Sequence, residues 1–78
     1  MKILVVDDHV LIREALRGVL TDLKPDAAVL EATDARQATR LIGEHPDLAL
    51  ILLDLNLPDR DGFDLLAELR RRHPAIAI

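Results

Sequence analysis

Four short apolar stretches recur along the chain, and each stops at a turn or a carboxylate. Leu48 to Leu53 is a run of six consecutive apolar residues. It is bounded by Pro46-Asp47 and closed by Asp54, the pattern of a strand buried on both faces as parallel strands are. Ile3 to Val6 reads the same way and ends at Asp7-Asp8. Ala27 to Leu30 is a weaker strand that closes at Glu31, and Ala75 to Ile78 begins a fourth.

Between these runs the period changes. Ile12, Ala15, Leu16, Val19, Leu20 and Leu23 follow helical spacing from Val10 onward, with Arg13, Glu14, Arg17 and Asp22 on the other face, which predicts an amphipathic helix ended by Lys24-Pro25. Asp34-Ala35-Arg36-Gln37 has the form of a capping box. It predicts a second helix from Ala35 to Gly43, with Ala35, Ala38, Leu41 and Ile42 inward and His45-Pro46 as its stop. Leu65, Leu66 and Leu69 mark a third helix, opened near Asp61 and ended by His73-Pro74.

Pro25, Pro46 and Pro74 each fall between a helix and the next strand, so one strand-helix unit recurs. Strands separated by helix-length segments are joined by right-handed crossovers into a parallel sheet with helices on both faces. The expected order is β-α-β-α-β-α-β within one domain.

Composition narrows the class. A chain of 78 residues supports one domain with a modest core. Phe63 is the only aromatic residue, so the core is built from Leu, Ile, Val and Ala. The chain has no Cys, which excludes disulfides and thiolate metal sites and suits a reducing, cytoplasmic setting. No apolar run approaches the roughly 20 residues of a membrane span. The formal charge of −4 argues against a nucleic-acid surface on these residues. The one basic run, Arg70-Arg71-Arg72, is explained by a helix C-terminus, whose dipole favours cations.

In the expected topology Asp7, Asp8 and Asp54 all stand at carboxyl ends of strands, the edge where open parallel sheets bind ligands. If the first and third strands are neighbours, the three acids converge. Two carboxylates about 4 Å apart repel by roughly 4 kcal/mol at an effective dielectric near 20, so the cluster calls for a cation or shared protons. Oxygen donors favour a hard ion, Mg2+ or Mn2+. Such an ion would offer open positions to phosphate oxygens, and Asp54 would then be placed to attack phosphorus.

Taken singly, Asp8 reads equally well as a helix N-cap and Asp54 as a loop residue; it is their combination that points to a site. His9 invites a general-base role, but its place in the first turn of a helix predicts a solvated side chain. His45 and His73 each precede a proline at a helix end and read as surface residues. Gly62 reads as a backbone requirement rather than a phosphate cradle.

Two stretches carry a family resemblance. Lys2-Ile3-Leu4-Val5-Val6-Asp7-Asp8-His9 and Leu53-Asp54-Leu55-Asn56-Leu57-Pro58-Asp59-Arg60-Asp61-Gly62-Phe63 closely resemble the receiver domain of two-component response regulators. From Asp8-His9 through Arg13-Glu14-Ala15-Leu16 the chain looks most like receivers that precede a NarL-type helix-turn-helix DNA-binding domain. The resemblance implies a flavodoxin-like fold with strand order 2-1-3-4-5, and a phosphoryl group accepted on Asp54 from a sensor histidine kinase. It further implies Mg2+ held by Asp8 and Asp54, by Asp7 through water, and by the Asn56 backbone carbonyl, with Pro58 and Gly62 shaping the loop beyond.

Receivers of this family continue to a Ser or Thr and then to a Lys that meet the phosphoryl group, and neither follows here before Ile78. The expectation is therefore a receiver truncated within its fourth strand, without an output domain, slow or silent in phosphorylation, and assembled as a dimer or larger through an exposed sheet edge. Two other functions stay open. One is a Mg2+-dependent phosphatase with an aspartate nucleophile, although such enzymes carry their paired acids two residues apart on one strand. The other is a non-catalytic interaction module.

Overall fold

Lys2–Val6 forms the central strand, β1, of a three-stranded parallel sheet. The computed structural model describes residues 1–78. After β1 come α1 (Val10–Leu23), β2 (Ala28–Ala32), α2 (Ala35–Glu44), β3 (Leu48–Leu53) and α3 (Gly62–Arg72). The strand order is β2-β1-β3, as expected for the first three strands of a flavodoxin-like sheet. Each strand-helix-strand step is thus a crossover that brings the chain back parallel to itself.

The strand buried on both faces is β1, not β3. Ile3, Leu4, Val5 and Val6 are all at most 1% exposed, because β1 has a neighbour on each side and helices above and below. On one face Leu4, Val6 and Ala32 meet Ala35, Ala38 and Ile42 of α2 and Leu65 and Leu69 of α3 in a single apolar cluster. On the other face lies α1. Within β3 only Leu48 and Ile51 are buried, while Ala49 is exposed.

A register shift explains that spacing. Lys2 pairs with Leu48 but Ile3 pairs with Leu50, so Ala49 is an extra residue of the bulge type. The insertion brings Leu48 and Ile51, three apart in sequence, onto the same buried face. Ala49 then turns its carbonyl outward to accept from the Ala77 N–H at 3.3 Å.

Ala75 to Ile78 does not form the expected fourth strand. Ala77 alone pairs, parallel to Leu50, and its carbonyl accepts from the Ile51 N–H at 2.8 Å. The Ile76 N–H donates instead to the His73 carbonyl at 3.1 Å in a turn, so only one residue lies in ladder position beside β3. The observed order is three strand-helix units followed by a single bridge.

Helix α1 also departs from expectation. None of its residues is buried; Ile12, Val19 and Leu23 of the predicted inner face are 48%, 54% and 70% exposed. Leu16 and Leu20 are half-buried. The helix is tied to the sheet by its arginines. Arg13 donates to the Asp7 carbonyl at 2.7 Å and to Glu31 at 3.3 Å, and Arg17 donates to the Val29 carbonyl at 3.0 Å and to Glu31 at 3.3 Å.

Candidate functional site

The site is made by strand ends. The Asp7 N–H donates to the Ala32 carbonyl at 3.0 Å and the Asp54 N–H donates to the Val6 carbonyl at 2.9 Å. These bonds carry the ladder one residue past β1 and β3. Asp7 and Asp54 therefore open side by side at the carboxyl edge, Asp8 follows, and the three predicted acids do converge. Oxygens of Asp7, Asp8 and Asp54 and a nitrogen of His9 all lie within 4.8 Å of one another.

His9 stands one position earlier than the sequence predicts. It is the N-cap of α1, so Asp8 is not the cap, and its side chain is exposed as its place at the helix start predicts. The Asp7 carboxylate accepts from the His9 backbone N–H at 2.8 Å, which folds the turn back on itself. This brings the His9 imidazole Nδ1 to 2.7 Å from Asp7, 3.1 Å from Asp8 and 3.8 Å from Asp54. Adjacency to the Asp7-Asp8 pair was the only signal of this in the sequence.

Burial grades the cluster. Asp7 is 8% exposed, and burial alone would raise its carboxyl pKa. The His9 amide and imidazole outweigh that and hold it below the ordinary carboxylate value. In return the Asp7 hydrogen bond, aided by the charge of Asp8, raises the pKa of the His9 imidazole. Opposite charges each favour the other's ionised form.

Asp54 is oriented by its own loop, since one of its oxygens accepts from the Asn56 N–H at 3.0 Å. With Asp7, His9 and Asn56 it lines one end of an open groove of about 590 Å³, whose other walls are apolar side chains including Ile12, Leu16 and Leu52. Pro58 and Gly62 stand apart from the acids, in and after the loop that leaves Asp54.

Gly62 is required for space. Its φ is not positive, but a Cβ there would lie 2.6 Å from the Leu55 carbonyl carbon and closer still to other Leu55 backbone atoms. The Gly62 N–H donates to the Leu55 carbonyl at 3.1 Å, and Asn56 and Asp61 form an antiparallel bridge. The loop after Asp54 is thus drawn tight. It is anchored a second time by Asp59, whose carboxylate accepts from the Ala35 and Arg36 amides at 2.9 and 3.0 Å.

A parallel α/β sheet places this acid cluster at the carboxyl ends of β1 and β3, the edge where open parallel sheets bind ligands, and its side chains could hold a metal ion. Residues 3–78 match the family model of the response regulator receiver domain. The chain belongs to that family, whose members serve two-component signalling in transcriptional regulators.

Among curated relatives, the chain is 48% identical over 77 residues to the glycerol metabolism activator of Pseudomonas putida, covering 99% of this chain and 35% of that protein. It is 37% identical over 79 residues to the transcriptional regulatory protein PhoP of Escherichia coli strain K12, covering 100% and 34%. The chain thus spans about a third of the length of these relatives.

Among solved structures, it superposes on the MaeR response regulator bound to beryllium trifluoride with a TM-score of 0.90 at 26% identity, covering 99% of this chain and 62% of that one. NtrX from Brucella abortus gives 0.82 at 37% identity, covering 94% and 16%. No helix of the chain is long and apolar enough to cross a membrane.

Proposed function

We propose that Asp54 is the phosphoacceptor of this receiver domain and that it takes a phosphoryl group from the phosphohistidine of a sensor histidine kinase. The observation that carries the reading is the adjacency of β1 and β3, which sets Asp54 beside the Asp7-Asp8 pair at the sheet edge. An Asp54 carboxylate oxygen forms the new P–O bond in line as the P–N bond of the donor breaks, and the leaving imidazole nitrogen takes up a proton.

The donor set fits a hard divalent ion. Three carboxylates with a half-buried and oriented Asp54 suit Mg2+ or Mn2+. Asp8 and Asp54 would hold the ion directly, Asp7 through water, and the Asn56 backbone carbonyl would complete the protein's share. Bound there, Mg2+ neutralises charge that builds on the phosphoryl oxygens. The chain's own part is to fix Asp54 through the Asn56 amide and to keep Asp7 ionised through His9.

The whole protein is a cytoplasmic, DNA-binding transcriptional regulator in this reading, since its relatives are named as transcriptional regulators. The stretch from Asp8 to Leu16 favours an output domain of the NarL type. Residues 1–78 carry no nucleic-acid surface in this reading, and their output is contact with other protein.

Incubation with Mg2+ and a small phosphodonor, read by intact mass, tests the assignment. The expected result is slow labelling, short of one phosphoryl group per chain, that Asp54→Asn abolishes. Labelling of Asp54→Asn to the wild-type extent would overturn it.

A further inference from the structure

We infer that the outer face of α3 is a self-pairing surface: it binds the same face of a second copy of this chain, antiparallel, about a two-fold axis at Ala67.

The helix has one face turned in and one left free. Gly62, Leu65 and Leu69 are its buried residues. At about 3.6 residues per turn the opposite face is centred on Ala67, with Phe63 and Arg70 along one flank and Asp64 and Arg71 along the other. All five are exposed, Phe63 by 65%. The remaining charges of the helix are already paired, since Glu68 meets Arg60 at 3.2 Å and Arg72 at 3.9 Å. Asp64, Arg70 and Arg71 form no ion pair within the chain. The helix dipole accounts for cations at this end of α3. It does not account for the flank that each shares with an unpartnered residue of complementary kind at the other end.

A two-fold axis at Ala67 keeps each flank on its own side and reverses the direction of the helix, as an isologous contact requires. Phe63 lies about 6 Å before Ala67 along the helix and Arg70 about 4.5 Å after it, so the reversal sets Phe63 of one copy beside Arg70 of the other. Asp64 and Arg71 stand about 4.5 Å before and about 6 Å after, and they meet on the other flank in the same way. Each pair occurs twice. One is an ion pair, and the other places a guanidinium against the chain's only aromatic ring. Ala67 at the crossing lets the two helix axes approach to about 8 Å. A parallel pairing would set Arg70 and Arg71 against their own copies, so the charges choose the antiparallel one.

One helix pair buries less than the roughly 800 Å² per partner of a stable interface, and its charges stay in reach of solvent, where salt screens them. The association is therefore weak and falls with ionic strength. The exposed apolar residues of α1 lie on the opposite face of the sheet, and association through them would not weaken with salt.

Sedimentation equilibrium of residues 1–78 tests this, with Asp64→Arg and Arg71→Asp measured alone and mixed. In either variant alone both ion pairs become like-charge contacts. In the equimolar mixture every contact between unlike chains is again opposite in sign. The expected result is wild-type self-association that is about tenfold weaker in either variant, is regained on mixing, and falls between about 50 and 500 mM salt. Circular dichroism that shows wild-type helix content in both variants separates this from loss of fold. The chain has no Cys, so Ala67→Cys gives a geometric readout. A residue on the axis faces its own copy and should form an intermolecular disulfide under mild oxidation, whereas Arg40→Cys on the exposed side of α2 should not.

A wild type that stays monomeric at millimolar concentration, mixing that restores nothing, or equal crosslinking of the two cysteines would overturn the inference. Undiminished association of both variants would overturn it as well, and would show that another surface, such as α1, holds the copies together.

Discussion

Asp59, in the loop that leaves the acid cluster, caps the N-terminus of α2 from 24 residues away, its two carboxylate oxygens accepting from the Ala35 and Arg36 amides. Asp34 caps the same helix from its own chain end by accepting from the Gln37 N–H at 2.7 Å. The first turn of α2 thus has two acidic partners, one local and one borrowed from the loop beyond Asp54. Asp59→Ala is expected to loosen that loop while leaving α2 folded on Asp34. Faster amide exchange at Asn56 to Asp61, with α2 amides little changed, checks this.

Gly62→Ala drives a Cβ into the Leu55 backbone. Overpacking of this kind costs about 1–3 kcal/mol, and here the neighbour is main chain and cannot rotate away. Chemical denaturation should show that loss. Because Leu55 directly follows Asp54, Mg2+ binding should weaken in the same variant.

Phosphorylation of residues 1–78 is expected to be slow. The lysines lie away from the acceptor: Lys2 pairs with Asp47 at 3.1 Å at the opposite end of β1, and Lys24 ends α1. A single missing partner for transition-state charge typically costs a few kcal/mol. Labelling by a small phosphodonor should therefore take much longer than for a receiver that carries a lysine beside its acceptor, and time-resolved intact mass measures it.

Acid should release the loop before the sheet. The Arg60 hydrogen bond lowers the Glu68 pKa from its ordinary value of 4.5, and the Ala35 amide lowers that of Asp59 from 3.8. For a depressed carboxylate, the stabilisation is present above the unfolded value and is lost as pH falls through the folded one. The contribution of these two groups should then be steady at neutral pH and decline below about pH 4.5, whereas the raised His9 pKa adds stability that is lost as pH rises through it. In Asp59→Asn and Glu68→Gln the acid limb should be shallower.

The exposed apolar residues of α1, among them Val10, Leu11, Val19 and Leu23, favour assembly of residues 1–78. The expected state is a dimer or larger species. Light scattering that shows a stable monomer at micromolar concentration would refute it.

Much of the fold was legible because each element carries its own stop. Leu48–Leu53 was bounded correctly at both ends, and α2 and α3 began where Asp34 and Asp61 announced caps. The Gln37 side chain reached one residue further back than a capping box predicts, to the Thr33 N–H at 2.7 Å.

What stayed hidden depended on contacts between distant residues. The bulge at Ala49 is set by pairing with β1, the tight approach of Gly62 by Leu55, and the second cap of α2 by Asp59. The site itself was readable from Asp7, Asp8 and Asp54 ending separate strands, whereas the aim of His9 depends on a backbone bond to Asp7 that no spacing encodes. Helix α1 misled in the opposite direction, since its clean periodicity promised a burial that the sheet face does not supply.

The arginine tethers of α1 have a dynamic consequence. A helix held by guanidinium groups rather than by buried side chains opens to solvent at a lower free energy than the strands beneath it, and its tethers weaken as salt screens them. The turn that aims His9 is the first residue of that helix's travel, and Arg13 grips the Asp7 carbonyl itself. The sharpness of the acidic cluster is therefore lent to it by the least secured element of the fold, and rising ionic strength should blur the site well before the sheet melts.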